Sequence, residues 1–298
     1  MIRPRFLQIG DTIGITCPAR KVALEEIQIA IQILESWGLK VVLGSTIGKA
    51  NHQFGGTDKE RLDDLQNMLN NPEIRAIIAA RGGYGTVRII DQLNFNTFME
   101  QPKWLIGFSD FTYLHTVLNS NIGIETIHGI MPITFEKSTP EALESLRKCL
   151  FGESLEYHFS SHKLNRPGTI EGEIVGGNLS ILYSLLGTKT IVNTSNSILF
   201  IEDLDEYLYH IDRMMMALKR ANKLSNLRGL IVGGMTEMKD NTIPYGKTAE
   251  EIILEHVAEY NYPVCFDFPA GHIEDNRSIL MGKKAKLFVQ KDKCVFNQ

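Results

Sequence analysis

The sequence predicts an α/β fold: a doubly wound, mostly parallel sheet in the first half and a smaller α/β unit after it. Two observations carry this. From Asp11 to Gly129, short apolar runs alternate with segments of helical spacing, the signature of consecutive βαβ units. The composition then changes across Phe151–Gly168, a polar stretch without clear periodicity that contains Pro167-Gly168, before alternation resumes. The expected organisation is an N-terminal domain over residues 1–150, a linker over 151–168 and a C-terminal domain over 169–298.

Asp11 to Pro18 reads as the first strand. Glu25 to Trp37 is a helix with Ile27, Ala30, Ile31, Leu34 and Trp37 on one face, widened by Ile29 and Ile33 as in a well-buried helix, and stopped by Gly38. Leu39–Leu43 is a second strand. Lys59–Leu69 is a charged helix with Leu62, Leu65 and Leu69 inward. Arg75–Ala80 is a third strand, followed by Arg81-Gly-Gly-Tyr-Gly85 and a helix over Thr86–Leu93. Trp104–Phe108 is a buried strand, Thr112–Leu118 a helix, and Ile124–Ile127 a strand ending at His128-Gly129. Ser138–Leu150 is a helix with Pro140 in its first turn.

In the second half, Thr169–Val175 alternates apolar and polar residues, as a half-exposed strand does. Gly176-Gly177-Asn178 opens a helix to Leu186. Ser197–Ile201 is a buried strand ending in Glu202-Asp203. Ile211–Ala221 is a helix, Gly229–Val232 a strand and Thr248–Tyr260 a helix. Pro263–Phe266 is a strand running into Asp267-Phe-Pro-Ala-Gly-His272, and Ile279–Gln290 with its tail forms a closing hairpin.

The totals are those of an ordinary soluble protein: 298 residues, 43% hydrophobic, 22% charged, net charge −4. No global basic field invites nucleic acid. The N-terminus has early cations but no long apolar run, so neither a signal peptide nor a membrane span is expected. Cys17, Cys149, Cys265 and Cys294 are scattered and form no Cys-x-x-Cys pair, which fits a reducing cytoplasm better than a zinc or redox motif.

In open parallel sheets, ligands bind beyond the carboxyl ends of the strands. That rule selects Arg81 with its glycines, Ser109, His128, Glu202 with Asp203, and His272. Ser109, between an apolar strand and a helix, has the setting of a nucleophile elbow. Gly107 stands two residues before it, but Phe111 replaces the second glycine of the usual pattern. The plainer alternative is a helix cap, which Ser and Asp both favour. A serine nucleophile needs a base, and the base an orienting carboxylate. Ser109, His272 and Glu202 supply that set from both halves, which places the site between them. His128 is the rival base. Asp203, Asp205 and Glu206 compete with Glu202, which is preferred for lying nearest its strand.

Three glycines among residues 82–85 exceed what a tight turn needs, and suit an oxyanion hole shared with the N–H of Asp110, or a phosphate cradle. The dinucleotide fingerprint fails at Arg88, where its third glycine belongs, and no P-loop is present. A metal hydrolase using His128, His272, Glu202, Asp203 and Asp267 lacks any dense ligand spacing.

Seven short motifs occur in order: Ala80-Arg-Gly-Gly-Tyr-Gly85, Ile106-Gly-Phe-Ser-Asp110, Ile127-His-Gly129, Gly176-Gly-Asn-Leu179, Phe200-Ile-Glu-Asp203, Ile211-Asp-Arg213 and Gly271-His272. With them the chain resembles, nearly end to end, the L,D-carboxypeptidase (muramoyltetrapeptide carboxypeptidase) family of serine peptidases. The resemblance implies a flavodoxin-like N-terminal domain and a smaller α/β domain that supplies Glu and His. It implies a triad of Ser109, His272 and Glu202, with oxyanion donors at Asp110 and at Gly83. It further implies a cytoplasmic homodimer without metal or cofactor that removes the terminal D-alanine of murein tetrapeptides. Arg81 is the candidate for holding the substrate carboxylate. The family also includes microcin C immunity peptidases, which cleave peptidyl or aminoacyl nucleotides. The modest 151–168 connection, and tryptophans (Trp37, Trp104) that look structural, favour the murein branch. From another class, a non-catalytic ligand-binding α/β protein would use the same clefts without needing Ser, His and Glu together.

Overall fold

The computed structural model spans residues 1–298 and contains two sheets. The first has six strands: β1 (Thr12–Thr16), β2 (Lys40–Leu43), β3 (Ile74–Ala79), β4 (Trp104–Gly107), β5 (Thr126–His128) and β11 (Ile279–Met281). Their spatial order is β11-β5-β4-β3-β1-β2. The five N-terminal strands are parallel and run 2-1-3-4-5 across the sheet, which is the flavodoxin-like order. The order reverses between β1 and β3, so a crevice is expected beyond their carboxyl ends. The second sheet holds β6 (Glu156–Ser160), β7 (Gly168–Asn178), β8 (Ile198–Leu204), β9 (Gly229–Thr236), β10 (Val264–Cys265), β12 (Lys284–Val289) and β13 (Lys293–Asn297). Its order is β10-β9-β8-β7-β12-β13-β6; β7 to β10 are parallel and the rest antiparallel.

The helices are α1 (Gln28–Ser36), α2 (Asp58–Asn70), α3 (Asn96–Glu100), α4 (Thr112–Thr116), α5 (Pro140–Phe151), α6 (Leu179–Ser184), α7 (Leu208–Arg220) and α8 (Ala249–His256). Capping boxes, Thr57 with Glu60 and Thr248 with Glu251, start α2 and α8. None of the helices is long and apolar enough to cross a membrane. The largest apolar core joins both sheets: Ile15, Ile78 and Ile106 of the first share it with Ile170, Phe200 and Ile231 of the second.

Several expectations are corrected. Ile29 is 40% exposed, so α1 buries a narrower face than its composition implies. In α2 the inward positions are Arg61, Asp64, Leu65, Met68 and Leu69, and Leu62 is only half-buried. Asp64 is buried because Thr16, Thr46 and the Ser45 N–H all donate to it, at 2.6–2.7 Å. Thr86–Leu93 is no helix but two 3₁₀ turns, Thr86–Arg88 and Ile90–Gln92, parted at Ile89, whose φ of −118° departs from regular helical geometry. The helix expected over Thr248–Tyr260 ends at His256. The supposed linker contains β6, an edge strand whose inward residues are Tyr157 and Phe159. Ile279–Gln290 is not one hairpin arm. β11 pairs with β5 in the first sheet, Ile279 opposite His128, and the chain changes sheets at Gly282 before β12.

Candidate active site

Ser109 leaves β4 on a turn that few residues adopt. Its φ is +62°, in the left-handed region, which carries a cost for any residue with a Cβ. Neither Ser109 nor Asp110 caps the following helix, which disposes of the plainer reading of these residues. The Asp110 carboxylate instead accepts the Thr86 N–H at 2.9 Å, tying the serine turn to the glycine loop after β3. Burial pushes the Asp110 carboxyl up, and hydrogen bonds from the Thr86 segment oppose that. The regular helix behind the serine is only Thr112–Thr116, and it continues as a π-type turn over Val117–Ile122.

The loop Arg81–Gly85 stands against the serine. A Cβ on Gly82 would lie 3.0 Å from Ser109 Cβ and 3.2 Å from its Oγ, so glycine permits this approach. Gly83 has φ +105° and is exposed. The N–H groups of Gly83 and Asp110 have no acceptor within the chain. They are the two donors expected at the oxyanion position. Arg81 is half-buried, and its charge bears on the buried Cys17 thiol.

Glu202, near the end of β8, is fully buried, and its Oε2 accepts from His272 Nδ1 at 2.6 Å. Its Oε1 has no partner in the chain. Gly271, at φ +109°, lets the loop pass tightly over this carboxylate: a Cβ there would stand 2.8 Å from Glu202 Cβ. Asn276 pins the loop by accepting the Gly271 N–H at 2.8 Å. Burial works against a charged His272 ring, but the adjoining Glu202 outweighs it and leaves the ring above its ordinary value. With Nδ1–H committed to Glu202, Nε2 is the nitrogen left free to take a proton. The His272 ring meets Phe108, the residue before the serine, edge to face at 4.8 Å between centroids. The residue before the serine thus touches the His272 ring, although Ser109 Oγ makes no hydrogen bond within the chain.

Three of the competing carboxylates are occupied elsewhere. Asp203 accepts from Asn178 Nδ2 and from the Ser180 and Leu204 N–H groups, at 2.8–2.9 Å, and so anchors the start of α6. Burial and the neighbouring Glu202 push Asp203 up to about 7 despite these donors. Asp205 pairs with Lys239, and Glu206 with His210. His128 is fully enclosed between Phe108 and Phe200, and burial holds it well below its ordinary value. Asp267 is exposed, and no group of three or more His, Cys, Asp or Glu residues stands in an arrangement that would hold a metal ion.

Other supporting residues were missed. Arg61 is fully buried and donates to the carbonyls of Pro18 and Gly85, joining the loops after β1 and β3. The available signal was its helical spacing with Leu65 and Met68. Thr112 Oγ1 accepts the Asn178 N–H at 3.0 Å, stitching the second unit to the helix behind the serine. Gly177 (φ +136°) makes room for that threonine.

Two domain families match the chain: the LD-carboxypeptidase N-terminal domain over residues 13–129 and the LD-carboxypeptidase C-terminal domain over residues 171–287. A probable murein peptide carboxypeptidase of Bacillus subtilis (strain 168) is 34% identical over 294 residues, covering 96% of this chain and 91% of the relative. The microcin C7 self-immunity protein MccF of Escherichia coli is 26% identical, covering 93% and 90%. Among solved structures, a muramoyltetrapeptide carboxypeptidase from Oxalobacter formigenes superposes with a TM-score of 0.87 at 27% identity, covering 96% of this chain and 98% of that one.

Proposed function

The chain belongs to the LD-carboxypeptidase family, and we propose that it is a serine carboxypeptidase that removes the terminal D-alanine from murein tetrapeptides. The observation that carries the mechanism is the His272–Glu202 hydrogen bond, set beside a serine on a left-handed turn. His272 Nε2 takes the Ser109 hydroxyl proton as Oγ bonds to the carbonyl carbon of the L,D-peptide link. The negative oxygen is received by the N–H groups of Asp110 and Gly83. Collapse breaks the C–N bond, His272 returns the proton to the departing D-alanine amine, and water releases the tripeptide by the reverse roles. Glu202 fixes the tautomer of His272 and offsets the charge of its imidazolium. Residues Ser109, His272 and Glu202 then come from both sequence halves.

The murein peptide follows from what the Bacillus and Oxalobacter relatives are named for. Incubation with free and disaccharide-linked meso-diaminopimelate tetrapeptide, followed by mass spectrometry, tests it. Tripeptide plus D-alanine is expected from the wild type and none from Ser109→Ala. Intact tetrapeptide beside cleavage of an aminoacyl-sulfamoyl adenosine would move the assignment to the microcin-immunity branch. We further place the enzyme in the cytoplasm, consistent with four free, buried cysteines, as a homodimer; light scattering on the purified protein tests the latter.

A further inference from the structure

A carboxypeptidase must recognise a free carboxylate two bonds beyond the scissile nitrogen. The wall of the cleft at His272 is unsuited to that, because Glu202, Asp203 and Glu237 all bear on the ring there. The loop that abuts Ser109 belongs instead to the crevice between the carboxyl ends of β1 and β3, where the strand order reverses. Its edges are Pro18-Ala19-Arg20 after β1 and Arg81-Gly82-Gly83 after β3.

We infer that Arg20 is the residue that receives the C-terminal carboxylate of the substrate. Its side-chain stem lies directly over Gly83, so that any Cβ on Gly83 would run into Arg20 Cγ and Cδ. Gly83 adjoins Gly82, which abuts Ser109, so the arginine stands one residue further out along the loop that faces the nucleophile. Its backbone is held on both sides. Arg20 bridges Phe54, the Ala19 carbonyl accepts from Gly55 N–H, and Lys21 N–H donates to Gln53. Arg20 is exposed and has no carboxylate within ion-pair distance. The other cations nearby are engaged: Arg61 with the Pro18 and Gly85 carbonyls, and Arg88 with Asp58. Arg81 is half-buried, whereas Arg20 is exposed. A guanidinium offers a planar pair of donors that matches a carboxylate. The glycine at position 83 therefore does two things: it exposes an N–H and it admits the arginine.

This assignment rests on the carboxypeptidase reading, and the test separates the two. Wild type, Arg20→Ala, Arg20→Lys and Arg81→Ala are assayed on the tetrapeptide ending in D-alanine and on the same peptide ending in D-alaninamide. Wild type should prefer the free acid. In Arg20→Ala, kcat/KM for the acid should fall ~10–100-fold, mainly through KM, while the amide changes less than about twofold, the loss expected for one charge-assisted contact. Arg20→Lys should recover part of the preference, and Arg81→Ala should retain the acid-to-amide ratio. Wild-type hydrolysis with an unchanged ratio in Arg20→Ala, or loss of the ratio in Arg81→Ala alone, would overturn the assignment to Arg20. No hydrolysis of either peptide by wild type would overturn the carboxypeptidase reading and the assignment with it.

Discussion

Replacing Glu202 by Gln is the most informative single perturbation of the dyad. The side chain keeps its size, so packing beneath Gly271 is preserved, but the anion 2.6 Å from His272 Nδ1 is removed. His272 becomes cationic only as the serine proton moves, so the loss falls on the transition state. Two opposite charges with centres about 4 Å apart interact by about 4 kcal/mol at an effective dielectric of 20, which is about 10³-fold in kcat. KM should stay within a few-fold. The pH profile supplies a second readout. The base is active when neutral, so activity falls as pH drops through the His272 pKa. Glu202 holds that pKa above the ordinary imidazole value, and its neutralisation should move the acidic limb to lower pH. D-alanine release followed from pH 5 to 9 measures both. An acidic limb unmoved in Glu202→Gln, or a kcat within a few-fold of wild type, would refute the coupling.

Three further outcomes follow from the same geometry. Ser109→Gly should abolish turnover yet raise stability by about 1 kcal/mol, by relieving the left-handed turn; an unchanged melting temperature would show that the turn carries no strain. Gly271→Ala forces a Cβ against Glu202 at a φ of +109°, and should lower both kcat and the melting temperature; full retention of both would mean the loop yields freely. Arg61→Met leaves the Pro18 and Gly85 carbonyls without their buried donor, and should cost about 2–4 kcal/mol in denaturant unfolding; a change under about 1 kcal/mol would show that the two loops hold their positions without it.

What the sequence made legible was set by contrast between neighbouring residues. Ile106 and Phe200 lie in apolar runs bounded by polar residues, so the strand ends stood out, and Ser109 and Glu202 with them. The His272–Glu202 partnership needed only the rule that sites gather beyond parallel strands. Where contrast was weak, the reading failed. Arg61 and Asp64 look like a solvated face and are buried, because tertiary carbonyls and hydroxyls satisfy them. β6 has only two inward apolar residues, Tyr157 and Phe159, and passed for a linker. Ile279–Met281 continues the local pattern of β12, yet pairs with β5, a choice made by the distant sheet. Arg20 gave no local signal. Its place over Gly83 arises from the packing of the loop after β1 on the loop after β3.

The most direct test of the account is cleavage of meso-diaminopimelate tetrapeptide by purified wild-type protein and by Ser109→Ala, read by mass spectrometry. Stoichiometric tripeptide and D-alanine from the wild type, with none from the variant, is the predicted result. Tetrapeptide left intact by the wild type, or cleaved equally by Ser109→Ala, would contradict it.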